Sequence, residues 1–76
     1  MEKRILDLLK EEVDRLEVQK IVMETTLKIM DGMKFPGAAM EQILEQKKMI
    51  ESTSELNNVL IASLKERIKN EEVKIN

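Results

Sequence analysis

Cysteine and histidine are both absent from this 76-residue chain, and Phe35 is its only aromatic residue. Without cysteine the chain can form no disulfide and offers no thiolate ligand. Without histidine it also lacks a common zinc ligand and the usual proton shuttle. A chain this short gains little net stability from a single core and usually adds disulfides, a metal or oligomerisation. We therefore expect it to be stabilised by association with another chain.

A large excess of charge of one sign is also missing. The 13 Lys and Arg residues against 15 Asp and Glu give a formal net charge of −2, and both signs are spread along the chain. No basic region exists to attract phosphates, so we expect no nucleic-acid partner.

Apolar runs are short. The longest strongly apolar stretch, 59–62, falls far below the roughly 18–20 residues that span a bilayer. The first residues also lack the apolar region of a signal peptide. We therefore expect no membrane partner and a cytoplasmic location.

Glycine and proline are rare, and they lie together in the stretch 32–37. Pro36 cannot continue a first helix, but its fixed φ suits the first turn of the next one. Gly32 follows the last apolar residue of the first half, where a left-handed residue would end a helix. The sequence therefore predicts an all-α fold, an antiparallel helical hairpin. Its expected bounds are a single domain over 1–76, helix 1 over about 2–31, a loop over 32–37 and helix 2 over about 37–72.

In the first half, apolar residues recur with gaps that alternate between three and four, as along the seam of a coiled coil. We define the seam of helix 1 as Leu6, Leu9, Val13, Leu16, Lys20, Met23, Leu27 and Met30, with Lys20 in the one polar position. This repeat predicts a long amphipathic helix that packs its seam against another helix.

A second apolar stripe lies roughly 150° from the seam around the same helix. It comprises Leu8, Val18, Val22, Ile29 and Met33. One neighbouring helix cannot cover both sides, so the hairpin is expected to associate into a four-helix bundle or with another protein. We take Val18, Val22, Ile29 and Met33 as a hypothetical interface.

The second half carries a looser pattern. One side of helix 2 is expected to hold the polar residues Gln46, Thr53 and Asn57 and a set of apolar residues, with Leu60 at its edge. The apolar residues are Ala39, Ile43, Ile50, Ile61, Leu64, Ile68 and Ile75. A smaller apolar stripe beside it comprises Met49, Leu56 and Val59. Ser52 and Glu55 fit an S-x-x-E capping box, so a helix could begin there. Helix 2 is either continuous or broken near 51–54.

If the chain folds back at the loop, residues of the two helices whose numbers sum to about 69 would lie opposite each other. Leu16 would then lie near Thr53, and Lys20 within reach of Glu45. Asn57 and Lys20 are polar residues at seam positions, where such residues can fix register, and we treat both as hypothetical register-setting residues. Alternatively, Asn57 lies at the seam margin bonded to water, and Lys20 extends its ammonium to solvent.

The residues that usually carry catalysis form no pattern here. The serines have no histidine to activate them, and no Gly-rich phosphate loop is present. Glu41 and Glu45, like Glu51 and Glu55, are four residues apart, a spacing that suits acid–base chemistry or a divalent ion but is also that of solvated helix sides. We predict no catalytic residue, no metal site, no cofactor and no enzymatic activity.

The segment 54–58, Ser-Glu-Leu-Asn-Asn, resembles the S-Q-E-L-D signature of a family of small aspartyl-phosphate phosphatases. That family consists of helical hairpins that act on response regulators. The resemblance covers only these residues, one residue of the signature is missing, and Asn57 stands in place of its acidic residue. It implies regulatory phosphate chemistry on a partner protein, and no active residue is carried over.

The two-sided apolar pattern of helix 1 predicts a small protein–protein interaction module that presents helix faces. Its partner would be a second copy in a homodimer, a helical groove on another protein, or both. An adaptor, a chaperone or an inhibitor would work in this way. Two other functions stay open: a structural or assembly subunit of a larger complex, and a small regulator of phosphoprotein signalling.

Overall fold

The computed structural model describes residues 2–75, which form two α-helices and a short loop. α1 spans Glu2–Gly32 and α2 spans Gly37–Ile75, and the two pack side by side as a hairpin. The predicted all-α hairpin is confirmed. α2 runs unbroken through 51–54, so the capping-box sequence there does not begin a new helix.

The loop between the helices is held by backbone hydrogen bonds at both ends. The Met33 amide donates to the Met30 carbonyl at 3.3 Å, and the amides of Ala39 and Met40 donate to the Pro36 carbonyl at 2.9 and 3.1 Å. Pro36 therefore supplies the first acceptor of α2, a position at which its own missing N–H costs nothing.

The predicted left-handed conformation of Gly32 is wrong. Neither glycine has a positive φ, and Gly32 is the last residue of α1. The bond from the Met33 amide to the Met30 carbonyl closes the helix instead, because a bond three residues back tightens the last turn. A Cβ added at either glycine would meet no atom within 4 Å, so crowding does not require glycine there.

Every seam residue of α1 is at least partly buried, as its spacing predicts. Leu6, Val13 and Leu16 are buried, and Leu9, Lys20, Met23, Leu27 and Met30 are half-buried. The buried members lie in the half of the hairpin away from the loop. Towards the loop the seam is more open to water.

The inner side of α2 differs from the prediction at its polar positions. Gln46 and Thr53 are exposed, and Lys47 and Ser54 are half-buried in their place. Of the predicted apolar residues, those that are buried or half-buried are Ala39, Ile43, Ile50, Ile61, Leu64 and Ile68. Leu60, expected at the edge of this side, is 52% exposed, and the Ile75 side chain lies outside the part that the structure describes. From 47 onward the inner positions keep the three–four repeat: 47, 50, 54, 57, 61, 64, 68 and 71. The prediction placed Gln46 and Thr53 on the inner side, and each is one residue before the residue that lies there. One residue corresponds to about 100° around a helix, so both side chains lie beside the inner side.

The register of the pairing also differs from the prediction. The Asn57 side chain donates through Nδ2 to the Leu16 carbonyl oxygen at 2.9 Å, and Val13, Leu16 and Ile61 form one buried cluster. Contacts between the helices join residues whose numbers sum to more than 69: 73 for Leu16 with Asn57, 78 for Asp31 with Lys47, and 82 for Lys10 with Glu72 and for Glu17 with Lys65. The displacement of α2 relative to the prediction is therefore more than one helical turn. The first turn of α2 consequently lies beyond the end of α1, because the loop continues along the helix axis before the chain turns back.

The resulting molecule is long and thin. Its Cα atoms extend over 58 × 15 × 14 Å with a radius of gyration of 17.3 Å, whereas a compact chain of this length has a radius of about 11 Å. The buried apolar side chains of the described residues are Leu6, Val13, Leu16 and Ile61, and none of them is completely enclosed. The core is therefore only two helices thick.

Candidate functional site

Ion pairs join the two helices along one side of the hairpin. They are Lys10–Glu72, Glu17–Lys65 and Asp31–Lys47. Positions 10, 17 and 31 of α1 differ by multiples of seven, so they lie on one side of the helix. We call this side of the hairpin the charged side. Because these ion pairs are open to water, each contributes little to the stability of the hairpin.

The ion pair nearest the loop satisfies a polar residue of the inner side of α2. Lys47 donates a hydrogen bond to Asp31, and this bond together with the negative charge of Asp31 raises the pKa of Lys47 above its ordinary value. The Lys47 side chain is 31% exposed. Its stem therefore packs between the helices while its ammonium group emerges on the charged side.

The opposite side of the hairpin bears a shallow groove of about 340 Å³. Both helices line it, through Arg15, Leu16, Gln19, Thr53, Leu56, Asn57 and Leu60. Residues three, four and seven positions from these share their side of each helix. We call this the apolar side. Its members on α1 are Ile5, Leu8, Glu12, Arg15, Gln19, Val22, Thr26, Ile29 and Met33, and on α2 Gln46, Met49, Thr53, Leu56, Leu60, Ser63, Arg67 and Asn70.

The apolar side exposes large hydrophobic side chains from both helices. Eight of them are between 50% and 70% exposed: Ile5, Leu8, Val22, Ile29 and Met33 of α1, and Met49, Leu56 and Leu60 of α2. Exposed apolar side chains that gather on one side of a protein are typical of interaction sites.

Three of the polar residues that interrupt the apolar side of α1, Glu12, Arg15 and Thr26, have partners within the same helix. Arg15 donates through Nε to Glu12 Oε2 at 3.1 Å and makes a second bond to the same carboxylate. These bonds, with the opposite charges, lower the pKa of Glu12 and raise the pKa of Arg15. The Thr26 hydroxyl donates to the Val22 carbonyl at 2.8 Å. None of these side chains therefore needs a partner from outside to satisfy its polar atoms.

Three of the four predicted interface residues lie on the apolar side. They are Val22, Ile29 and Met33, which are 57%, 57% and 52% exposed. Val18 is 61% exposed and lies on the adjoining outer surface of α1. The three share the apolar side with Leu56 and Leu60 of α2, a combination that the sequence did not reveal because it depends on which residues of α2 face α1.

The two predicted register-setting residues occupy different environments. Asn57 is 4% exposed and donates to the Leu16 carbonyl, so it lies in the seam and not at a wet margin. Lys20 is half-buried at its seam position. The displacement of α2 places Glu45 at least about 12 Å along the axis from Lys20, so the predicted approach of Lys20 to Glu45 is wrong.

A buried acidic residue at the open end of the hairpin was missed from the sequence. Glu71 is 9% exposed, accepts a hydrogen bond from Arg67 Nε at 3.0 Å and lies 3.6 Å from Lys74 Nζ. Counting alternate gaps of three and four onward from Asn57 would have found it. The same count backward finds Ser54 and Lys47.

Within residues 2–75, no three acidic side chains gather closely enough to hold a metal ion.

Over that same described range, neither helix has an apolar stretch long enough to cross a membrane.

Comparisons of this chain with protein-family models, with curated proteins and with solved structures gave no match. The class of the protein is therefore defined by its own geometry. It is a two-helix hairpin with one charged side and one apolar side.

Proposed function

We propose that this chain is a small non-enzymatic protein–protein interaction module that acts through its apolar side, as a homodimer that completes a four-helix bundle. One observation carries the proposal: eight exposed apolar side chains from both helices lie on the same side of the hairpin. A surface of this kind would let the protein act as an adaptor, a chaperone or an inhibitor by docking helices of a partner.

The exposed area of the chain supports association. The hairpin exposes 6205 Å², whereas a compact protein of 8.8 kDa exposes about 4,800 Å². The excess of roughly 1,400 Å² is larger than the share of about 800 Å² that each partner buries in a typical interface. A second hairpin laid on the apolar side would bury part of this excess.

The chemistry of the groove supports binding over catalysis. The Asn57 amide donates to the Leu16 carbonyl, and Arg15 donates to Glu12, so these polar groups are engaged within the chain. Asn57 also occupies the acidic position of the phosphatase-like segment 54–58. At 4% exposure it does not reach a partner protein, which favours the interaction module over phosphate chemistry.

A structural or assembly subunit is the second candidate, and a specific observation favours it. Val18 and Val59, on the outer surfaces of the two helices, are 61% and 62% exposed. A dimer formed through the apolar side alone would leave both uncovered. Concentration-dependent growth beyond a dimer in sedimentation experiments would support this role.

The proposal is tested by placing charge on the apolar side. Val22 and Ile29 are replaced together by aspartate, and the mass of the particle is measured by sedimentation velocity. The matched control, Ile21→Asp with Leu44→Asp, adds the same charge at side chains that are 62% and 48% exposed but lie on the charged side. We expect monomers from the first variant and dimers from the control, because burying unpaired charge is costly.

If the Val22 and Ile29 variant remains helical and associates like the parent protein, the apolar side is not the contact surface. If the control dissociates equally, added charge alone prevents association, and the assignment of the surface also fails.

A further inference from the structure

We infer that the apolar side carries two oxidation-sensitive methionines, Met33 and Met49, whose conversion to sulfoxides releases the second chain. The modifying agent is hydrogen peroxide, and the modified atom is the thioether sulfur of each side chain. This inference rests on the proposed function and adds the regulation of association by an oxidant. It follows from the composition of the chain and from the exposure of its methionines.

Methionine is the only readily oxidised residue type in this chain. The sequence contains six methionines and no cysteine, histidine, tryptophan or tyrosine. Cysteine thiolates, which peroxide attacks in many proteins, are therefore absent, and no other class of side chain competes for the oxidant. Before oxidation, the thioether is apolar and flexible and packs as an aliphatic side chain does. Peroxide therefore acts on this chain through its methionines.

The structure ranks the methionines by their exposure to a dissolved oxidant. Met49 is 70% exposed, Met33 is 52% exposed and Met40 is 39% exposed, while Met23 and Met30 are half-buried in the seam of α1. The two most exposed of these five lie on the apolar side, one in α2 and the other directly after α1. Oxidation should therefore reach the proposed contact surface before it reaches the seam.

These two methionines lie in the same half of the hairpin. Met33 and Met49 each follow a member of the Asp31–Lys47 ion pair by two residues, so both lie near the level at which that pair joins the helices. The cluster of buried apolar side chains lies in the other half, away from the loop. Sulfoxides at these two positions therefore change the apolar side and leave the buried cluster intact.

The modification converts an apolar side chain into a polar one. Hydrogen peroxide transfers one oxygen atom to the sulfur: a sulfur–oxygen bond forms, the oxygen–oxygen bond breaks, and the second oxygen leaves as water. The sulfur loses two electrons and the peroxide gains them. Water satisfies the new oxygen as a hydrogen-bond acceptor, whereas an apolar contact surface does not, so covering the sulfoxide is unfavourable.

Association and oxidation should oppose each other. A second chain laid on the apolar side covers both thioethers, so the dissociated chain reacts and the dimer is protected. Once formed, the sulfoxides favour the dissociated chain, because association would bury them without hydrogen-bond partners. We expect the dissociation constant to rise by about tenfold or more for each sulfoxide that the contact buries.

Limited treatment with hydrogen peroxide tests the inference on the parent protein and two variants. The first variant, Met33→Leu with Met49→Leu, keeps apolar side chains of similar volume that do not react. The matched control, Met23→Leu with Met30→Leu, makes the same change in the seam. Peptide mass spectrometry locates the sulfoxides, and sedimentation velocity measures the mass of the particle.

In the parent protein, sulfoxides should form first at Met49 and Met33, and the dimer should dissociate. The seam control should dissociate in the same way, whereas the variant without Met33 and Met49 should remain a dimer after equal treatment. Raising the protein concentration should slow oxidation at both positions. Sulfoxide reductases for both epimers, supplied with dithiothreitol, should restore the parent dimer by removing the oxygen as water.

The controls separate a failure of this inference from a failure of the proposed function. A parent protein that sediments as a monomer before treatment overturns both. A dimer that persists with sulfoxides at Met33 and Met49 overturns only this inference when Val22→Asp with Ile29→Asp is monomeric, and overturns both when that variant is a dimer. Equal dissociation of the variant without Met33 and Met49 also overturns the inference, because other methionines would then cause the effect.

Discussion

The charged side and the apolar side of this hairpin are formed by the same two helices, but they differ in how well water solvates their side chains. On the charged side, ion pairs such as Glu17–Lys65 link the helices and remain hydrated. On the apolar side, side chains such as Leu56, 66% exposed, have no neighbour of their own kind within the hairpin that covers them. The ion pairs of the charged side are well solvated by water, whereas exposing the apolar side to water is unfavourable in free energy.

This difference shows why two helices that pack along their seams still leave apolar side chains exposed to water. The seam of α1 buries Leu6, Val13 and Leu16 against α2. That packing uses only one side of each helix, and a second row of apolar residues lies about 100° away. Helices with two such rows are typical of bundles of four, in which each helix has two neighbours.

The largest effect is expected from charging α2 on its apolar side. Leu56→Asp would bury an unpaired carboxylate, at a cost of about 3–5 kcal/mol, and should therefore weaken the dimer by about 100-fold or more. Ala62→Asp adds the same charge on the charged side of the same helix and should leave the dissociation constant within a few-fold. Sedimentation equilibrium measures both, and equal weakening by the two changes would remove the distinction between the sides.

A smaller effect is expected where the two helices are joined beneath the apolar side. Asn57→Asp replaces the donor to the Leu16 carbonyl with a carboxylate and should cost about 2–3 kcal/mol at neutral pH. Burial raises the pKa of the new carboxyl, and its protonated form can donate, so the loss should shrink as the pH falls.

Urea denaturation at fixed protein concentration measures this loss, and Asn58→Asp is the control. Asn58 is the next residue and is exposed, so its variant should unfold like the parent protein. A loss that is equal in the two variants, or unchanged by pH, would show that the Asn57 bond does not hold the register.

The smallest effect belongs to the charged side. The pKa of Lys47 is raised, chiefly by its hydrogen bond to Asp31. The stability that this bond gives is therefore complete below the ordinary lysine pKa and is lost as the pH rises through the raised value. Thermal melts should show a slightly larger alkaline loss for the parent protein than for Asp31→Asn, and added salt should reduce the difference. A larger alkaline loss in the variant would contradict this assignment.

Much of α1 could be predicted from the sequence, because its seam repeats strictly and only Lys20 breaks it. The inner side of α2 was harder, since polar residues fill several of its positions. Lys47 pairs with Asp31, and Ser54 and Asn57 lie next to apolar neighbours, so hydrophobicity alone does not mark the repeat there. The helix was identified correctly while its orientation near Gln46 and Thr53 was not.

The register of the two helices could not be predicted from the sequence, for a different reason. A symmetric loop would set Leu16 opposite Thr53, but the path of the loop displaces α2 by more than one helical turn. This displacement decides which residues of α1 lie level with Leu56 and Leu60, and the inward-facing residues of α2 decide that both lie beside the seam. The apolar side, which combines residues of both helices, could therefore be recognised only once the pairing was known.

The dependence of unfolding on protein concentration tests the central claim most directly. The claim is that the apolar side is covered by another chain in the stable form of the protein. We predict that the melting temperature, followed by circular dichroism, falls steadily as the protein is diluted from micromolar towards nanomolar concentrations, because folding is coupled to association. A cooperative melt at the same temperature across that range, with the particle sedimenting as a monomer, would contradict the account.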